Sequence, residues 1–115
     1  MVKKYTPKMG DIILINFDPS VGHEQKGQRP ALVVSADILS KTSPFSWVVP
    51  IMHGKWNYPT HVSLDHRTKT NGQIYVEQLM TIDYRTRSVK YLEKIPNNIL
   101  DEVLNIVHEL TINRK

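Results

Sequence analysis

The sequence contains no cysteine, which removes both a disulfide framework and a thiolate metal site from consideration. That absence fits a reducing, cytoplasmic setting. No window approaches the roughly eighteen apolar residues of a membrane-spanning helix. The first ten residues carry Lys3, Lys4 and Lys8 with no apolar stretch behind them, unlike a secretory signal. Internal repeats, low-complexity tracts and linkers are also lacking, so residues 1–115 read as one domain. A core of this size folds alone with a thin margin, which makes a dimer unsurprising. Histidine occurs five times without assembling a metal motif. His61 and His66 stand at an odd offset that sends them to opposite faces of a strand. His108 has no ligand at helical spacing, and there is no HExxH. No metal and no cofactor are expected.

What is present is an ordinary globular composition, 40% hydrophobic and 23% charged, with a formal net charge of +4. The excess of cations permits a polyanionic partner without requiring one. Asp11 to Phe17 is apolar at nearly every position, the pattern of a strand covered on both faces. Ala31 to Ser35 reads as a second buried strand. A helical piece or turn is expected over Ala36 to Thr42, then strands over Phe45 to Ile51, His61 to Leu64, Ile74 to Ile82 and Ser88 to Lys94. Asn71-Gly72 is a turn signal between the fourth and fifth of these strands. A helix over Asn97 to Thr111 follows from the three- and four-residue spacing of Ile99, Leu100, Val103, Ile106, Val107 and Leu110. Asn97 is the expected cap, with Asp101 and Glu102 in the early turns. The expected fold is mainly β: a curled antiparallel sheet of five to seven strands with a C-terminal helix packed on it.

Between the first two expected strands lies a thirteen-residue connection, Asp18 to Pro30, rich in polar groups. Connections this long in a compact domain are uncommon, and many carry function. Cutting RNA without a metal requires a base for the 2′-hydroxyl, a cation for the phosphorane and an acid for the leaving oxygen. The loop offers all three as Glu24, Arg29 and His23. A guanidinium suits the phosphate because its planar fork matches phosphate oxygens and stays charged. Pro30 biases Arg29 toward extended backbone, and Gly22 and Gly27 bracket the charged tetrapeptide. A solvated loop whose charges pair with one another is the bland alternative. Glu77 is a second carboxylate of interest, placed by alternation on the face of Tyr75 and Leu79. It is either a site residue or an edge residue paired with a lysine. Lys55, Trp56 and Tyr58 interleave charge with rings, which suits stacking on unpaired bases and equally suits a subunit interface. Arg67, Lys69, Arg85 and Arg87 add general positive footing.

Several segments together resemble the MazF/PemK/Kid family of toxins from toxin–antitoxin systems, over nearly the whole chain. They are Met9-Gly10-Asp11-Ile12, Asp18 to Gln25, Arg29-Pro30-Ala31, Val49-Pro50-Ile51, Tyr58-Pro59-Thr60-His61-Val62, Glu77-Gln78 and Thr81-Ile82-Asp83. The resemblance implies an SH3-like barrel with a terminal helix, assembled as a homodimer. It implies cleavage of single-stranded RNA at short sequences without metal, leaving 2′,3′-cyclic phosphate and 5′-hydroxyl ends. It also implies a cognate antitoxin whose acidic extended tail covers the groove, with DNA engaged only through that complex. On this basis Arg29, His23, Glu24 and Glu77 are the expected catalytic residues. Gln25, Lys26, Gln28, Lys55, Trp56, Tyr58, Tyr75 and Gln78 are expected to bind substrate. Two positions depart from the family pattern. Many members carry threonine or serine after the Pro-Ile pair, where Met52 stands here, and a thioether has no proton to give. Some carry an arginine two residues before the later acid, where Tyr75 stands. Three outcomes follow: His53 substitutes, the His23–Arg29–Glu77 set suffices, or this copy is slow or inactive. The competing functions are a non-catalytic inhibitor that binds protein, similar to the gyrase poison CcdB, and a family member that binds RNA without cutting.

Overall fold

The computed structural model describes residues 4–16, 27–54 and 57–112. Among the described residues, seven strands and two helices follow one another: β1 (Asp11–Asn16), β2 (Gln28–Val33), α1 (Asp37–Thr42), β3 (Phe45–Met52), β4 (His61–Ser63), β5 (Gln73–Tyr75), β6 (Met80–Asp83), β7 (Val89–Lys94) and α2 (Asn97–Ile112). A 3-10 turn, Val76–Gln78, separates β5 from β6. All pairings are antiparallel, in the order β4-β5-β3-β2-β1-β7, with β6 also on β3.

The isoleucine-rich β1 is buried on both sides, as its composition requires. Ile12 belongs to a cluster with Leu32, Val49, Ile51, Ile74, Ile99 and Val103, the side covered by α2. Ile13 and Ile15 belong to a second cluster with Ala31, Val33, Val48 and Ile82. On α2 the stripe holds through Ile99 and Val103, each contributing about 1.5–3 kcal/mol by burial. It runs out at Leu110, which is exposed. Asn97 is the first helical residue rather than the cap; the carbonyl of Pro96 accepts the first helical bonds, from Ile99 and Leu100.

The sheet is open, yet strongly curled. The connection after β4 reaches β7 at the other end of the strand path. There the Glu93 carboxylate accepts from the backbone N–H groups of Lys69 and Thr70 (3.1 and 2.8 Å) and from the Thr70 hydroxyl (2.8 Å). Gly72 closes the same connection at φ +126°, where a Cβ would sit 2.7 Å from the Met52 carbonyl oxygen. Glycine there is required by both the backbone conformation and the close approach. It brings β5 against the end of β3.

Two expected elements are placed differently. β2 begins at Gln28, so Arg29 and Pro30 are strand residues, aligned with Ile15 and Leu14 of β1, and not loop residues. The expected strand Ile74 to Ile82 is broken. Ile51 faces Ile74 and Val48 faces Met80, so three steps along β3 correspond to six on its partner. The surplus is the three-residue 3-10 turn that carries Glu77.

Candidate active site

The pairing of β2 with β3 runs from Val33↔Val48 to Ala31↔Pro50 and ends there. Pro30 and Pro50 stand at that end, and each lacks the N–H that would extend the ladder. Beyond it the strands part around a groove of about 430 Å³ lined by Gln28, Arg29, Pro30, Ile51, Met52 and His53. The structure therefore brings Arg29, Gln28 and His53 together, with the Met52 thioether among them. Gly27, at φ +91°, turns the chain into β2 just ahead of this group. A guanidinium and an imidazole lining one open groove offer a phosphate-matching cation and a proton-transfer group.

A second cluster forms around Glu77. Its Oε1 accepts from the Thr60 hydroxyl at 2.6 Å, and its Oε2 lies 2.9 Å from His61 Nε2. Burial pushes the Glu77 carboxyl up, but the bonds from Thr60 and His61 outweigh it and hold the group below its ordinary value. The His61 ring stacks on Tyr75 with centroids 3.7 Å apart and planes 8° from parallel. Tyr58 meets the same ring edge-on at 5.1 Å. Glu77 is thus neither a mid-strand residue sharing a face with Tyr75 and Leu79 nor an edge residue paired with a lysine. It is held off the sheet by side chains at the start of β4.

The two clusters share a face. Ile51 and Ile74 point into the core beneath α2, so alternation turns their neighbours Met52, Gln73 and Tyr75 the other way. Arg29 alternates with Ala31 and Val33, which lie on that second side. Gln73 pairs with Met52 across β3 and β5 and with Ser63 across β4 and β5. Its amide nitrogen reaches Asn57 Oδ1 at 3.2 Å and Ser63 Oγ at 3.3 Å. In the strand order β3 lies between β2 and β5, so neighbouring strands carry the Arg29 groove and the Tyr75 face.

Of the other expected residues, Gln78 follows Glu77 on the turn and is exposed, and Tyr58 is exposed beside His61. His23, Glu24, Gln25, Lys26, Lys55 and Trp56 lie outside the described residues. Thr60 and His61 were not expected as site residues. His61 stood in the family-like segment Tyr58 to Val62 and was otherwise weighed, and rejected, as a metal ligand beside His66; its contact with Glu77 depends on the β4–β5 register. Among the described residues no three histidine, aspartate or glutamate side chains gather as ion ligands, and no helix is long and apolar enough to cross a membrane.

Known proteins share the sequence and the fold of this chain. The family model described as PemK-like, MazF-like toxin of type II toxin–antitoxin systems matches residues 8–111. Endoribonuclease PemK of Escherichia coli is 37% identical over 106 residues, covering 89% of this chain and 80% of that protein. Endoribonuclease EndoA of Bacillus subtilis (strain 168) is 35% identical over 106 residues, covering 86% and 91%. Among solved structures, a MazE–MazF complex from Deinococcus radiodurans superposes with a TM-score of 0.84 at 30% identity, covering 93% of this chain and 96% of that one.

Proposed function

The chain belongs to the PemK-like, MazF-like toxin family, and from that premise we propose that it is the endoribonuclease toxin of a type II toxin–antitoxin pair, cutting single-stranded RNA in the Arg29 groove. The observation that carries this reading is the groove itself. Where the β2–β3 ladder ends, Arg29 and His53 are presented together, on the face where Glu77 is held. In the reaction a carboxylate, Glu77 or Glu24, takes the proton of a 2′-hydroxyl. The 2′ oxygen attacks phosphorus, and the bond to the 5′ oxygen breaks as His53 or His23 protonates it. The products are a 2′,3′-cyclic phosphate and a 5′-hydroxyl. Arg29 holds the phosphate oxygens while charge builds on them. His53 takes the place of the hydroxyl that Met52 lacks.

Gln28, Gln25, Lys26, Lys55, Trp56, Tyr58 and Gln78 are the proposed substrate contacts; Tyr75, expected among them, is buried against His61 and supports the cluster from beneath. The net charge of +4 favours a polyanion. The active form is proposed to be a cytoplasmic homodimer, silenced by an antitoxin whose acidic tail occupies the groove. A structure of MazE bound to MazF among the relatives supports the partnership. The test is incubation of a long unstructured RNA with purified protein in chelator, followed by mapping of the ends. Discrete cuts carrying cyclic phosphate are expected. No cutting, with wild type and Arg29→Ala alike, overturns the reading in favour of a non-catalytic, CcdB-like binder or a family member that binds RNA only.

A further inference from the structure

We propose that His61 is a positioning residue: clamped between Tyr75 and Tyr58, it fixes one oxygen of Glu77 while Thr60 fixes the other, presenting the carboxylate to RNA as a ready acceptor. The inference rests on Glu77 belonging to an RNA-cutting site. It begins with exposure. The His61 side chain is 2% accessible and that of Glu77 34%, so a ligand reaches the carboxylate and not the imidazole. A carboxylate has about four acceptor positions; Thr60 takes one on one oxygen and His61 one on the other, and the backbone N–H of Glu77 itself is a further donor. Because an ionised carboxylate only accepts, the proton in this bond sits on Nε2 of His61.

The imidazole is itself held. It stacks almost parallel on Tyr75, its direct cross-strand partner, and meets Tyr58 at its edge. The two tyrosines hold the plane of the ring, and the bond to Glu77 selects the edge that carries Nε2. The bonds to Glu77 are also more than the turn needs for its own closure. Leu79 N–H already donates to the Val76 carbonyl, and Val76 N–H to the Thr60 carbonyl, so the backbone fixes the turn on β4 without the side chains. What the side-chain bonds add is the direction of the carboxylate, on which proton abstraction from a bound ribose depends.

A double-mutant cycle separates this role from a structural one. His61→Phe keeps a ring against Tyr75 and removes the N–H; His61→Gln keeps an amide N–H near the same place and removes the ring. The expected result is a fall of about tenfold in single-turnover cutting for His61→Phe, part of the factor that acid–base catalysis supplies. KM is unchanged, and His61→Gln retains most of the rate. In a Glu77→Gln background, where the base is already absent, His61→Phe adds less than about twofold. Thr60→Val reports on the other oxygen should His61→Phe fold poorly. Wild-type cutting by His61→Phe, or an equal loss in both backgrounds, overturns the proposal. Imidazole 15N NMR without RNA tests the bond apart from any cleavage. A proton on Nε2 whose signal shifts in Glu77→Gln supports it, and an unprotonated Nε2 overturns it even if wild type cuts RNA.

Discussion

The strand path ends at β4 on one side and β7 on the other, and a carboxylate is tied down at each end: Glu77 against β4, Glu93 on β7. For both, burial pushes the carboxyl up and hydrogen bonds outweigh it, so both are held below their ordinary value of 4.5. The donors differ. Glu93 receives two backbone N–H groups and one hydroxyl from the connection that follows β4, and so closes the curl of the sheet. Glu77 receives two side chains onto a turn whose backbone bonds are already made. A depressed pKa therefore does not by itself mark a working group. Glu93 gathers backbone amides of a distant connection and fastens the chain, whereas Glu77 is oriented by the side chains of Thr60 and His61 and keeps about a third of its side chain accessible.

Exchanging the two acids for their amides sharpens that contrast. Glu77→Gln is expected to slow RNA cutting by about a hundredfold, the lower range for a positioned acid–base group, while moving the melting temperature by only a few degrees. A full-rate Glu77→Gln enzyme breaks the comparison. Next in size, His53→Ala is expected to lose about tenfold in rate as the groove loses a proton-transfer group. Adding Met52→Thr to that variant restores part of it, since the hydroxyl enters beside Arg29; assays of the single and double variants decide the point. Glu93→Gln acts on the other side of the contrast. It leaves the rate unchanged and lowers unfolding stability by about 1–2 kcal/mol through weakened charge-assisted bonds, read in denaturant titrations.

The smallest effect is in acid. Both folded carboxyls lie below their unfolded value, so the stability they contribute is present above pH 4.5 and is lost as pH falls below it. Thermal melts across that range should show a shallower acid decline for Glu93→Gln than for wild type. Identical declines would mean that Glu93 does not fasten the loop.

These contrasts also mark what a reader of the sequence alone could reach. The doubly buried β1, the α2 stripe, the short α1 and the Asn71-Gly72 turn were legible, because apolar spacing and turn chemistry are local. The break at Val76–Gln78 was not. Ile74 to Ile82 reads continuously as strand, and only its register on β3 forces out three residues. Arg29 was legible as a candidate through its sequence context, but Pro30 beside it argued for a loop, while pairing with β1 makes both part of β2. His61 was hidden for a third reason: its worth comes from Tyr75 and Glu77, neighbours only after β4 and β5 pair.

The account stands or falls most directly on Arg29. Single-turnover cutting of a long unstructured RNA by wild type and by Arg29→Ala, with melting curves of both, isolates its contribution. Loss of one preorganised cationic contact to the phosphorane predicts a fall of at least about a hundredfold. Removing one side chain that lines an open groove predicts a stability change under about 1 kcal/mol. An Arg29→Ala protein that cuts at the wild-type rate would contradict the account.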